Sequence, residues 1–435
     1  MRVVALGGGE SGVGAAILAK KMNYPIFVSD KGPIKAHYKR ELEEQQIEYE
    51  ENKHTLERLH AAEIIVKSPG IPDSIPLIKA LREKGIPIIS EIEFAARHTN
   101  AVIIGITGSN GKTTTTNLTY HLLQSAGLSV GIGGNVGQSF ARLIATDKRD
   151  YYVLELSSFQ LDGIWDFRPH LAVLLNITPD HLDRYDYQME KYIRSKFRII
   201  RNQQEGDLFL YNADDEAIKG YLQGRTLPQQ LCPISSYTTD STVIRLDDDW
   251  VFDMKDSALR GPHNCFNAHC ALTIAKALQV DPSNLQAALN SFRSVHHRME
   301  VVAEIDGVEY INDSKATNVD AVLQALKAMH RPIVWVAGGQ DKGNDYAPIR
   351  DLVREKVRTM ICLGADNRRL IEEFGGMVEG VVECQTAEEA VRLGRELALP
   401  GEVVLLSPAC SSFDLFENFE QRGDLFREAV LALRS

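Results

Sequence analysis

The sequence predicts an α/β protein of three successive units, each a parallel sheet flanked by helices. Short β-branched runs alternate with amphipathic helical stretches along the chain. Two of these runs end in glycine-rich turns that open a helix, at Gly7–Gly12 and Gly108–Thr113, where such folds receive anions. Length agrees, because 435 residues exceed what one core can organise. With 44% hydrophobic and 25% charged residues the composition is that of a soluble globular protein. No apolar run approaches the roughly 18 residues of a membrane span. Acidic residues number 59 against 48 basic, a net charge of −11, which argues against a nucleic-acid partner and for small ligands held by local positive features. The six cysteines form no C-x-x-C pair, so neither a disulfide framework nor a zinc site is expected. Met1–Leu6 enters a strand pattern directly, and a cytoplasmic location is expected.

The first unit, residues 1–93, has strand patterns at Val3–Leu6, Ile26–Ser29, Ile64–Lys67 and Ile86–Ile89. Gly7, Gly9 and Gly12 follow the first strand and Asp30 closes the second, as in a dinucleotide fingerprint with a carboxylate near a ribose. A tight turn that merely needs small residues gives the same pattern, and Lys31 leaves open a phosphate or uracil contact. Ser68 opens a Ser-Pro-Gly-Ile-Pro turn at another strand end, a position that suits either a ligand or a plain turn.

The second unit, residues 94–296, carries Thr107-Gly108-Ser109-Asn110-Gly111-Lys112-Thr113-Thr114 between a β-branched run and a helical pattern. Backbone N–H groups and a helix N-terminus there form a phosphate cradle, Lys112 neutralises phosphate oxygens, and the Thr113 hydroxyl suits Mg²⁺. Ile106 occupies the position of the first glycine in the strict P-loop pattern. Downstream, Gly133–Gly137 lets backbone approach a ligand, with Asn135 offering an amide. The buried run Tyr151–Leu154 ends in Glu155, the place of a Mg²⁺ ligand in nucleotide hydrolases. His181 follows the strand Leu171–Leu175, on the same edge if the strands are parallel. In the helix from about Gln188 to Arg201, Lys196 shares a face with Met189, Ile193, Phe197 and Ile200. Burial would disfavour its ammonium; a lysine that snorkels to water is the alternative. Asn264 reads as the N-cap of a helix running to about Leu278, with Asn267 facing a ligand. Ser291–Glu300 reads as a linker.

In the third unit, residues 297–435, strand patterns lead into three polar loops, Asn312–Asn318, Gly338–Lys342 and Ser407–Asp414. These should line one carboxyl edge and offer Lys315, Lys342, Thr317 and Ser412 to an anionic group.

Together, the cradle with Asn135, Glu155–Gln160, His181, Lys196, Asn312–Asn318 and Ser407–Gly423 resembles the Mur ligases of peptidoglycan synthesis, over essentially the whole chain. The shortened P-loop is a mark of that family. The resemblance implies a three-domain fold: an N-terminal Rossmann-like domain for a UDP-sugar precursor, a central P-loop ATPase domain, and a C-terminal Rossmann-like domain that brings an amino acid. It implies ATP and two Mg²⁺ sites as cofactors. Gly108, Ser109, Asn110, Gly111, Lys112, Thr113 and Thr114 would hold the phosphates, and Asn267, Arg298 and Asp313 the rest of the nucleotide. Thr113, Glu155, His181 and Lys196 would hold metal, with Lys196 carboxylated on Nζ by CO₂. Lys112, Glu155, His181 and Lys196 form the expected catalytic set.

The arginine-bearing motif of diaminopimelate- and lysine-adding relatives is not evident, which favours D-glutamate as the incoming amino acid and UDP-N-acetylmuramoyl-L-alanine as its acceptor. Lys315, Thr317, Lys342, Ser412, Phe413 and Phe419 are then candidates for D-glutamate. Glu10, Ser11, Asp30, Lys31, Ser68, Asn135 and Ser157 are candidates for the precursor. Glu10 stands where the family commonly has an apolar residue and Lys31 where arginine is frequent. A monomer with ligand-dependent hinge motion near Val295–Arg298 is expected. A folylpolyglutamate-synthase-like ligase would share the ATPase core, and an NAD-dependent oxidoreductase would use Gly7–Asp30 but leave the cradle idle.

Overall fold

A computed structural model describes residues 1–238, 241–259, 261–293, 296–341 and 343–434. The chain packs as two compact units, the first comprising Met1–Ser236, Arg245–Val251 and Phe266–Leu289, the second Tyr237–Ile244, Phe252–Cys265 and Asn290–Ser435.

The first unit holds two parallel sheets. One is ordered Glu48–Glu50, Ile26–Ser29, Val3–Leu6, Ile64–Lys67, Ile88–Ser90. The chain winds to both sides of Val3–Leu6, so a crevice opens at the carboxyl end of that strand, where the glycine turn sits. The edge strand Glu48–Glu50 has no apolar signal in the sequence, because it pairs on one side only and its side chains are largely polar. The other sheet is ordered Gln230–Ile234, Leu208–Asn212, Leu171–Leu174, Val102–Thr107, Tyr151–Glu155, Val130–Gly134. Here the cradle follows the strand at which the order turns, and the register sets Ile106 opposite Glu155 on one side and Val173 on the other.

The two sheets of this unit are joined by polar contacts as well as by a shared apolar core. The helix Glu10–Lys21 lies against Phe140–Thr146 so closely that a Cβ on Gly14 would come within 1.9 Å of Ser139 Oγ. Arg142, nearly buried, donates from Nε and Nη2 to the Glu10 carboxylate at 2.8 and 2.9 Å and also grips Glu41. Glu93, fully buried, accepts the backbone N–H groups of Trp165, Asp166 and Phe167.

The second unit has a six-stranded sheet ordered Glu300–Ile305, Val308–Asn312, Val403–Ala409, Ile333–Gly338, Val357–Leu363, Gly380–Cys384. It is parallel except for the first pair, an antiparallel hairpin closed by Asp306 and Gly307, both at positive φ. That hairpin replaces the end of the expected linker. The Asp-Gly turn was its local signal. The expected N-cap at Asn264 is also corrected: the helix runs Pro262–Ala277, because proline is favoured in a first turn where its missing N–H costs nothing. Among the described residues no helix is long and apolar enough to cross a membrane.

Candidate active site

In the first unit the cradle is a turn held from outside. Gly111, at φ 83°, caps the helix Lys112–Ser125, a conformation that only glycine adopts at little cost. Ser109 N–H donates to Asn176 O, Asn110 N–H donates to Asn176 Oδ1 at 2.8 Å, and Asn176 Nδ2 returns a bond to Asn110 O. Ser109 Oγ exchanges hydrogen bonds with the backbone of Thr178. Asn176 was not singled out from the sequence, although its place directly after a strand on this edge was a signal. Thr113 is buried on the first turn, while Lys112 and Thr114 are half-buried.

Lys112 Nζ donates to the carbonyls of Gly108 at 2.8 Å and Ser109 at 2.7 Å. Lys196, 1% exposed, reaches the same Gly108 carbonyl at 2.7 Å, with its Nζ over the Tyr192 ring. Its amine therefore turns inward and does not snorkel. Burial and the neighbouring Lys112 cation hold it well below the usual ammonium range, against the opposing pull of Asp180, Asp162 and Glu155. Two amines on one carbonyl leave this pocket rich in donors and suited to anionic oxygens.

Glu155, also 1% exposed, accepts from Asn135 Nδ2 at 2.8 Å, and its carbonyl accepts the Asn135 N–H. His181, at φ 50° before a short helical turn, keeps its ring exposed, 5.2 Å from that of Phe159. Ser157 caps the helix Ser158–Asp162 in a reciprocal box with Gln160. Asn267 is buried beside the cradle, its Oδ1 2.8 Å from where a Cβ of Gly111 would stand. Among the described residues no three His, Cys, Asp or Glu side chains group as a metal site; the expected set instead mixes a threonine and a lysine with Glu155 and His181.

At the edge of the other sheet, Asp30 accepts the N–H of Gly8 at 2.6 Å and of Gly32 at 2.8 Å, so its carboxylate organises the glycine turn. Glu10, expected at the ligand, gives both oxygens to Arg142. Ser11 is half-buried and Lys31 exposed. Ser68 Oγ is buried with no partner among the described residues, 2.4 Å from where a Cβ of Gly7 would be. Glycine is required at position 7 because Ser68 packs directly against it at a φ of 98°.

In the second unit Asp313 accepts from Ser407 Oγ at 2.9 Å and from Met299 N–H, and burial pushes its carboxyl up to about 7. Arg298 is half-buried, and its cation opposes that rise. Lys315 Nζ lies 4.7 Å from the centre of the Phe419 ring. Thr317 is half-buried in the same loop, Ser412 is buried at the end of another, and Phe413 is 66% exposed. Lys342 lies outside the described residues, as does Val295 of the expected hinge. Arg422, 1% exposed, was missed. It donates to Ser314 O and Oγ and reaches the carbonyls of Gly338 and Cys410, so one buried cation ties together all three polar loops.

Three family models match the chain: the MurD N-terminal domain over residues 2–75, the Mur ligase middle domain over 106–275, and the Mur ligase glutamate ligase domain over 297–410. A relative from Christiangramia forsetii named UDP-N-acetylmuramoylalanine–D-glutamate ligase is 50% identical, covering 99% of both chains. One of the same name from Salinibacter ruber is 41% identical over 99% of this chain and 98% of its own. Among solved structures, a UDP-N-acetylmuramate–alanine ligase from Thermotoga maritima superposes with a TM-score of 0.64 over 100% of both chains at 17% identity. A Mycobacterium tuberculosis folylpolyglutamate synthase does so with 0.57 over 77% of this chain and 91% of its own, at 13% identity. At those identities the likeness is one of fold. With full-length relatives at up to half identity and its own three models, the chain belongs to the Mur ligase family, in the company of the members named for adding D-glutamate.

Proposed function

We propose that this chain joins D-glutamate to UDP-N-acetylmuramoyl-L-alanine at the expense of ATP, in the cytoplasm, as a step of peptidoglycan precursor synthesis. The full-length likeness to relatives named for adding D-glutamate carries the substrates of this reading, and the meeting of Lys112 and Lys196 at the Gly108 carbonyl beside the cradle supports its chemistry. A plain nucleotide hydrolase has use for the first lysine and none for a second one buried where its ammonium is disfavoured.

The acceptor's alanine carboxylate oxygen attacks the γ-phosphorus, and the bond to the β–γ bridging oxygen breaks to release ADP. The amine of D-glutamate then attacks the carbonyl carbon of the acyl phosphate, loses a proton, and phosphate leaves as the amide forms. Lys112 stabilises charge on the transferring group, and Asn135 orients the acceptor beside Glu155. Thr113, Glu155, His181 and a carboxylated Lys196 would hold Mg²⁺, which supplies charge neutralisation when bound. The buried Glu155 carboxylate and the depressed basicity of Lys196 fit that role, since only a neutral amine adds CO₂. Asn267 in the first unit, and Arg298 and Asp313 in the second, are the candidates for the rest of the nucleotide, while Lys315, Thr317, Lys342, Ser412 and Phe419 take D-glutamate. The positions of the three large sheets and of the three family models support domains at 1–93, 94–296 and 297–435.

Phosphate release with ATP, Mg²⁺, the acceptor and each amino acid in turn tests this. D-glutamate should stimulate it well above L-glutamate or no addition, and equal rates would sink the reading. Lys196→Ala should abolish ligation, with partial recovery in acetate.

A further inference from the structure

The loop after the strand Ile64–Lys67 turns its carbonyls toward cations. Lys67 Nζ donates to Ile71 O at 2.7 Å, while Arg184 Nη2 and Nη1 donate to Pro69 O at 3.2 Å and Gly70 O at 3.3 Å. In a trans peptide the N–H opposes the carbonyl, so the Gly70 N–H points away from Arg184. On this same loop the Ser68 hydroxyl is buried against the glycine turn with no partner among the described residues. Arg184 itself belongs to the loop that begins at His181. Its guanidinium lies 4.3 Å from the centre of the Phe159 ring, and that ring meets His181 edge to face at 5.2 Å. Phe159 follows Glu155 by four residues, on the helix that Ser157 caps. One side chain thus ties a loop of the first sheet to two elements of the nucleotide-binding sheet within the same unit.

We propose that Arg184 is a positioning residue that fixes the Ser68–Ile71 loop in the form that binds the precursor's diphosphate, and registers it against the His181 and Phe159 elements. The inference rests on the function proposed above. Arginine suits the task because a planar guanidinium bonds two carbonyls in its plane while stacking on an aromatic face; lysine cannot do both.

The test is steady-state kinetics with UDP-N-acetylmuramoyl-L-alanine, ATP and D-glutamate, alongside thermal unfolding. Arg184→Ala should raise KM for the precursor by about tenfold or more while KM for ATP changes less than about twofold. Arg184→Lys should recover only part of the loss. Phe159→Leu, which removes the stacking ring and leaves both carbonyl contacts possible, should shift the precursor KM in the same direction by a smaller factor, and it stands in if Arg184→Ala fails to fold. Precursor KM values within about twofold of the unaltered protein in these variants, with or without a lower Tm, would overturn the inference. If the unaltered chain itself shows no D-glutamate-dependent phosphate release, the proposed function has failed instead.

Discussion

Lys196→Met keeps the length of the side chain and removes the amine, so it isolates the effect of the charge. In the folded chain, burial and Lys112 hold the amine well below the 10.5 of a free lysine, whereas the unfolded chain restores the ordinary value. Between the folded value and 10.5 the unfolded state therefore carries the extra proton. Native stability must rise with pH across that window, by about 1.4 kcal/mol per unit, and the destabilising contribution disappears as pH approaches the unfolded value. The methionine variant lacks this slope. Measured by guanidinium chloride unfolding in CO₂-free buffer, the stability of the wild type relative to Lys196→Met should increase as the pH is raised toward 10.5. A difference flat to within about 0.5 kcal/mol would mean that the amine stays charged in place, and the argument from burial would be refuted. Bicarbonate added at constant pH should then stabilise the wild type and leave the variant unchanged, because a reactant that modifies only the folded form shifts the equilibrium toward it.

Two further substitutions probe other parts of the site. Gly111→Ala forces a Cβ into a φ of 83° and to 2.8 Å from Asn267 Oδ1, so it should cost about 1–2 kcal/mol of stability and lower ADP affinity by about tenfold in calorimetry; unchanged affinity would show that neither Asn267 nor the loop shape matters to the nucleotide. Asp313→Asn tests the carboxyl that burial raises to about 7: the folded wild type keeps its proton through a range in which the unfolded chain releases it, so wild-type stability should fall between about pH 4 and about pH 7 at up to about 1.4 kcal/mol per unit. The variant's thermal unfolding should be flatter over that range, and equal slopes would show Asp313 to be ionised throughout.

The parts of the fold and site that could be read in the sequence are those encoded locally. The cradle needs consecutive residues on a strand, a turn and a helix, and Gly108–Thr113 supplies all three in order. Glu155 could be placed because an apolar strand leads to it. Lys196 could be put on the buried face of its helix by period alone, but whether its amine turned in or out depended on Gly108 and Tyr192 arriving from elsewhere. Glu10 shows the limit most clearly. The family resemblance made it a candidate for the precursor, yet its carboxylate pairs with Arg142, 132 residues away, and nothing local encodes such a partner. Arg422 and Asn176 escaped notice for the same reason, since each acts by bonding to backbone that distant segments bring near. The strand Glu300–Ile305 was hidden by its mixed polarity, and only the Asp-Gly pair after it marked the hairpin.

The carbonyl of Gly108, shared between Lys112 and Lys196, has a consequence for the order in which the site is loaded. Lys112, after burial, disfavours the proton on the amine of Lys196, and nucleotide phosphates that engage Lys112 would weaken that influence and add negative charge nearby. By linkage, a phosphate group and a neutral Lys196 disfavour each other. CO₂, which reacts only with the neutral amine, is therefore best taken up by the nucleotide-free protein, and chain that meets ATP before CO₂ should enter the reaction with a lag.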